Sequence, residues 1–251
     1  MKKTKPLRFI QISDTHLRAQ PNERIWNVDV DVGLSAVLAR IKERHWPVDF
    51  LLATGDLVHD DVAAYPRLYT VLASLGVPVY CLPGNHDQPH ALREQLNAGL
   101  VRWQRQLVHG VWQFILLDSS VPGSPSGHLA ENELVVLDRL LAANPDHYAV
   151  VCLHHHPVLI GSTWLDTMVG NGNDLFAVLD RYPQVRVVLW GHIHQAFSAR
   201  RGQVELLGVP STCVQFKPGT ATAIADDLPP GYRWFELDDA GSVTTGIERI
   251  D

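Results

Sequence analysis

At 251 residues with 46% hydrophobic side chains, the chain is long enough to bury a substantial core, and α/β proteins of this size commonly form one domain. A formal net charge of −6, with no basic run beyond MKKTK at the start, argues against a nucleic-acid or anionic-membrane footprint and points to small or neutral partners. No stretch approaches the ~18 consecutive apolar residues of a membrane span, the first residues lack a secretory apolar run, and Cys81, Cys152 and Cys213 in apolar settings suit reduced, buried thiols, so a cytoplasmic location is expected.

The first strand is LRFIQIS (7–13), followed by a helix from Val30 to His45 in which Leu34, Val37, Leu38 and Ile41 recur at helical spacing. DFLLATG (49–55), VPVYCLP (77–83) and VWQFILLD (111–118) read as further strands. A second clear helix spans 129–143, with Leu134, Leu137 and Leu141 on one face, and is followed by the strands YAVVCLH (148–154) and VRVVLWG (185–191). Most of these strands are apolar on both faces, as in the centre of a covered sheet, and their alternation with helices indicates βαβ units. After residue 195 the strand candidates QAFSARR, QVELLGV, YRWFELD and VTTGIER follow closely, so the last fifth is expected to be antiparallel β. The loops 119–127 and 217–231 are expected to be exposed. There is no internal repeat and no linker.

Five of these strands are followed directly by residues that bind metals: QISDTHL, ATGDLVHD, LPGNHDQ, CLHHHP and LWGHIHQ. In an open α/β sheet the carboxyl ends of the strands share one rim, where ligands bind. Asp14, His16, Asp56, Asn85, His86, one or more of His154, His155 and His156, His192 and His194 can therefore converge although they lie far apart in the chain. Carboxylate, amide and imidazole donors without thiolate suit Mn, Fe, Zn or Co. Seven candidate ligands are too many for one ion and enough for two sharing a carboxylate at ~3.5–4 Å separation.

The ordered set Asp14-Thr15-His16, Gly55-Asp56, Gly84-Asn85-His86-Asp87, the histidine triplet and Gly191-His192-Ile193-His194 resembles the signature of the calcineurin-like metallophosphoesterases. LHHHP, STWLD (162–166), GHIHQ and PSTCVQFKPG (210–219) resemble its class III cyclic nucleotide phosphodiesterase branch, and the likeness covers nearly the whole chain. The resemblance implies an α/β fold of four layers, an αββα sandwich, as a single domain over 1–251. It also implies two divalent ions, Fe or Mn foremost and Zn or Co as alternatives. One would be held by Asp14, His16, Asp56 and His194, the other by Asp56, Asn85, one triplet histidine and His192, with Asp56 bridging. His86 would act as hydrogen-bond donor or general acid toward the phosphoryl or leaving oxygen, oriented by Asp87. Gly55, Gly84 and Gly191 are expected to allow the tight turns that aim the next side chain.

Within the triplet, alternation along a strand would point His155 opposite to His154 and His156 if the strand persisted to Pro157. His155, two residues before the proline as the ligand is in the family, is the expected ligand; His154 is expected to pack behind it and His156 to line the pocket or face solvent. His59 and Asp60 are expected to support the site from a loop. His45, His90, His109, His128 and His147 have no motif partners and read as surface residues. Trp164 and Phe216 are candidates to stack on a base, or core aromatics; Arg18 and Lys217 are candidate phosphate or base contacts.

The activity implied is hydrolysis of 3′,5′-cyclic AMP to 5′-AMP by hydroxide generated at the ions, with a small-molecule substrate, no nucleic acid and no membrane. The alternatives are a broader esterase acting on glycerophosphodiesters, 2′,3′-cyclic nucleotides or phosphomonoesters, and a non-catalytic scaffold, against which the intact donor set argues. The acidic charge argues against a nuclease.

Overall fold

Runs of Val, Ile, Leu and Phe form two six-stranded sheets in the computed structural model, which describes residues 5–168 and 170–251; the basic start at 1–4 lies outside them. The first sheet contains β1 (Leu7–Ile12), β4 (Phe50–Thr54), β5 (Val79–Leu82), β6 (Val101–Arg102), β15 (Gly231–Leu237) and β16 (Val243–Arg249). The second contains β7 (Gln106–His109), β8 (Trp112–Leu116), β9 (Tyr148–Cys152), β10 (Val185–Trp190), β11 (Phe197–Arg201) and β12 (Val204–Gly208). Their orders are β16-β15-β1-β4-β5-β6 and β11-β12-β10-β9-β8-β7. Two short hairpins stand apart, β2 (Arg24–Ile25) with β3 (Val28–Asp29) and β13 (Gln215–Phe216) with β14 (Ala225–Asp226).

Each sheet contains a run of four parallel strands, β1-β4-β5-β6 in the first and β8-β9-β10-β12 in the second. Parallel strands need crossovers, and helices supply several of them. α1 (Val30–Arg44), α2 (Tyr65–Ala73) and α3 (Pro89–Gln95) cover the first sheet, α4 (Glu131–Ala143) and α6 (Gly172–Leu179) cover the second, and α5 (Thr163–Asp166) is a single turn. Asp29 caps α1 by accepting from the amides of Asp31 and Val32, both at 3.1 Å. The inner faces of the sheets meet in an aromatic core. Phe9 stacks on its cross-strand neighbours Phe50 and Phe235, with centroids 5.1 and 4.4 Å away, and meets Phe114 of the opposite sheet edge-on at 5.2 Å. The result is the four-layer αββα arrangement.

The last fifth differs from expectation. Its two longer hairpins, β11/β12 and β15/β16, are antiparallel internally but belong to different sheets, the short β13/β14 hairpin stands apart, and β12 extends the parallel run by pairing with β10. Apolar alternation shows that a strand exists, not which sheet edge receives it. Among the described residues, no helix is long and apolar enough to cross a membrane.

Candidate metal centre

Strands β1, β4 and β5 of the first sheet and β9 and β10 of the second end along one rim, and each is followed within a few residues by its polar motif. Asp14, His16, Asp56 and His194 each offer a ligand atom within 4.8 Å of the others, as do His154, His155 and His192. His194 Nε2 lies 3.3 Å from Asp14 Oδ1 and 3.2 Å from His16 Nε2. Asn85 Oδ1 lies 3.0 Å from His192 Nδ1 and 3.2 Å from His154 Nε2, which is 3.4 Å from Asp56 Oδ2. All but the half-buried Asn85 are buried.

Ring nitrogens and carboxylate oxygens of the site face one another at close range. His194 Nδ1 donates to the Val214 carbonyl at 2.8 Å, which turns the Nε2 lone pair toward the Asp14 carboxylate and His16. Lone pairs that face each other in a dry site repel unless a cation lies between them. His155 Nε2 and His192 Nε2 are buried with no hydrogen-bond partner. These orphaned nitrogens and the all-nitrogen-and-oxygen donor set fit a pair of divalent cations.

The electrostatics agree. Burial holds His16, His155 and His192 well below the ordinary imidazole value, so they are neutral, the form that ligates. Burial opposes ionisation of Asp56, but His154 and His16 outweigh it and hold the carboxyl well below its usual range. Burial likewise opposes a charge on His154, yet Asp56 and Asp14 push it up to about 9. A proton on His154 can balance only one of the two carboxylates.

The backbone is strained where the ligands sit. Asp14, His16, Asp56, His192 and His194 have φ of 56, 46, 50, 64 and 52°, a left-handed conformation costing an L-residue roughly 1–2 kcal/mol. Such outliers cluster at functional sites because the surroundings over-determine them. Of the three motif glycines only Gly55 has positive φ, 95°. Gly84 and Gly191 serve instead by close approach: a Cβ on Gly84 would lie 2.2 Å from Asp56 Oδ1, and one on Gly191 2.0 Å from Ser13 Oγ.

The triplet does not follow strand alternation, because β9 stops at Cys152 and the chain bends through the histidines. All three rings are buried. His154 is wedged against Gly55 and Gly84, its Nδ1 on the Thr54 carbonyl at 2.8 Å and its Nε2 among the carboxylates. His155 is held by Ser119, 2.8 Å from Nδ1, which leaves Nε2 toward the centre. His156 stacks on His192 and is buried rather than solvent-facing.

Asp87 does not touch the His86 ring. It accepts from the amides of Leu57, Val58 and Gly84 and from the Tyr65 hydroxyl, tying the loop after β4 to the loop after β5. His86 Nδ1 pairs with Asp60 Oδ2 at 3.0 Å instead, and its amide donates to Asp56 Oδ1 at 2.9 Å. His59 Nδ1 lies 2.9 Å from His16 Nδ1. Arg18 is spent on the His59 carbonyl and Glu23, and Lys217 is exposed and is not among the residues lining the cleft beside the centre. Of the outlying histidines, His45 pairs with Glu248 and His90 with Glu94, while His109 is half-buried and stacks on Phe50.

The centre floors one end of a cleft of about 150 Å³ whose other wall is Trp26, Trp164, Leu165, Met168 and Phe216. The loop 119–127 is only partly exposed: Ser119 and Gly127 are buried, and a Cβ on Gly127 would stand 2.3 Å from His155 Cγ. Sequence reasoning passed over Ser119, although it follows β8 on the same rim, and Trp26, which belongs to no motif.

A model of the calcineurin-like phosphoesterases matches residues 7–196, and the chain belongs to that family. The 3′,5′-cyclic adenosine monophosphate phosphodiesterase CpdA of Pseudomonas aeruginosa is 40% identical over 245 residues, 97% of this chain and 90% of that one. A 3′,5′-cyclic-nucleotide phosphodiesterase of Nostoc sp., alr5338, is 40% identical over 98% of this chain and 93% of its own. Among solved structures, a dimetal phosphatase from Danio rerio superposes with a TM-score of 0.65 over 99% of this chain and all of its own, at 14% identity, a likeness of fold.

Proposed function

We propose that the protein hydrolyses 3′,5′-cyclic AMP to 5′-AMP in the cytoplasm, with Asp14, His16, Asp56 and His194 holding one divalent ion and Asp56, Asn85, His155 and His192 the other. The observation that carries the reading is the convergence of these donors, two of their nitrogens orphaned, at the polar end of a cleft with an aromatic wall. The 40% identity over nearly the whole chain to a cyclic AMP phosphodiesterase and to a cyclic-nucleotide phosphodiesterase supports the substrate. Manganese or iron suits the thiolate-free donor set, zinc or cobalt being the alternatives. Three buried, unpaired cysteines support a reducing compartment.

Bound ions would polarise the phosphate and lower the pKa of water at the centre. The shared role proposed for Asp56 is supported by its central placement: Oδ1 accepts from the His86 amide, while Oδ2 faces His154 at 3.4 Å and His16 at 3.8 Å. Water adds its oxygen to phosphorus and gives up a proton, the bond from phosphorus to the ribose 3′-oxygen breaks, and that oxygen takes up a proton, so the elements of one water are divided between the two products. His86 is placed to supply it. Its ring lines the cleft with Nδ1–H held by Asp60, and in the imidazolium form the Nε2–H is left for the phosphoryl or leaving oxygen, the imidazole being reprotonated by the proton that water gives up. Asp87 acts one step back by holding both loops.

The test is metal analysis of the purified protein, with turnover of cyclic AMP, cyclic GMP, 2′,3′-cyclic AMP and an aryl phosphodiester in Mn, Fe, Co or Zn. Turnover of the aryl diester with cyclic AMP untouched in every metal would reject the substrate and leave the esterase class.

A further inference from the structure

We infer that Trp26, displayed at the tip of the β2/β3 hairpin, is a specificity-determining residue that stacks on the purine of the substrate; this rests on the cyclic nucleotide reading above. Trp26 and Asn27 have φ of 51 and 64°, both left-handed, as the central pair of a two-residue type I′ hairpin requires. That turn favours Asn, Asp and Gly. A tryptophan in its first central position is an outlier that something other than turn chemistry must explain. The residue is 52% exposed, yet its ring meets Phe216 edge-on, centroids 5.6 Å apart at 80°, and it lines the cleft.

Phe216 connects this ring to the centre. Its other contacts are Trp164, edge-on at 5.2 Å, and the His194 ring, stacked at 4.6 Å and 28°. The cleft therefore has two chemistries: imidazoles and carboxylates at one end, and at the other an aromatic corner in which Trp26 is the side open to solvent. Trp164, which closes the corner behind Phe216, keeps its Nε1 buried. A nucleotide has this polarity, an anionic phosphate joined to a flat heteroaromatic with acceptor edges, and a purine offers the larger face.

The hairpin is a firm mount. Asp29, at its end, caps α1, and Arg67 ties that helix to the preceding loop through Asp31 and the Arg18 carbonyl. An exposed apolar ring on a braced turn, lining the cleft edge-on to Phe216, is arranged for a ligand rather than for the core.

The experiment compares wild type with Trp26→Ala, Trp26→Leu and Trp26→Phe on cyclic AMP, cyclic CMP and methyl 4-nitrophenyl phosphate. Calorimetric binding of 5′-AMP to the metal-loaded proteins is measured alongside. Base stacking on an aromatic predicts a rise in KM for cyclic AMP of roughly 5- to 150-fold in the Ala and Leu variants, with a parallel loss of 5′-AMP affinity. Phe should restore most of it, and the losses for cyclic CMP and the aryl methyl diester should be several times smaller. A Leu variant equal to wild type, or an equal loss on all three substrates, would overturn the assignment. If wild type hydrolyses cyclic AMP and Trp26→Ala leaves KM unaltered, the clamp alone falls. If wild type ignores cyclic AMP, the nucleotide reading falls and takes the clamp with it.

Discussion

Replacing Gly84 by alanine should disable the centre without unfolding the protein. The new Cβ would lie 2.2 Å from Asp56 Oδ1 and 2.3 Å from the Asp56 backbone nitrogen. The second contact is with main chain, so no rotamer change relieves it, and ordinary contact at ~3.5 Å requires the loops after β4 and β5 to part by roughly 1 Å. Overpacking of this kind costs about 1–3 kcal/mol, or roughly 2–12 °C in Tm for a chain of this size. A misplacement of about 1 Å in a reacting group costs on the order of 10² in turnover, and here it falls on the proposed bridging carboxylate. The control is Gly202→Ala, where φ is +60° and nothing lies within 4 Å of the new atom. Strain alone should cost that variant about 1–2 kcal/mol and no turnover. Calorimetry, metal stoichiometry and cyclic AMP turnover on both variants separate the effects. Two tightly bound ions and turnover within about threefold of wild type in Gly84→Ala would refute the close-approach argument.

Asp56→Asn should lower occupancy of both ions and abolish turnover with the fold retained; two tightly held ions would remove Asp56 from the bridging role. His86→Ala should keep both ions and lose roughly 10²–10⁴ in turnover, whereas loss of an ion would make His86 a ligand. Because Ser119 fixes the His155 ring at 2.8 Å, Ser119→Ala should weaken binding of one ion, about 10- to 100-fold by titration. An unchanged affinity would mean that His155 is not held from that side. His155→Ala should lose the same ion outright, and His156→Ala should keep both.

The motifs were legible because each polar pair directly follows an apolar run, and a parallel strand that ends at a rim delivers whatever comes next to that rim. Asp14, Asp56 and His192 needed no more than that rule. His155 was harder: its assignment rests on its place two residues before Pro157, while the strand alternation meant to set it apart from its neighbours fails because β9 ends at Cys152. Once the chain bends, the two-residue period has no meaning, which is how His154, His155 and His156 all come to be buried. Asp87 was misjudged for another reason. Adjacency in GNHD suggested that it orients His86, but its carboxylate is nearer the amides it gathers, and Asp60, from a different loop, takes the His86 nitrogen. The pairing of β12 with β10 and the meeting of Trp26 with Phe216 join segments far apart in the chain, and no local pattern encodes them.

The centre draws donors from both sheets: Asp14, His16, Asp56 and Asn85 follow strands of one, and His155, His192 and His194 follow strands of the other. Ions bound there would act as a cross-link between the two leaves of the sandwich. A ligand that binds only the folded state adds about 2.7 kcal/mol at a hundred times its dissociation constant. A chelator would then act on this protein as a denaturant as well as an inhibitor. The folding equilibrium carries the free-ion concentration as a variable, so metal scarcity would deplete the folded chain along with its activity.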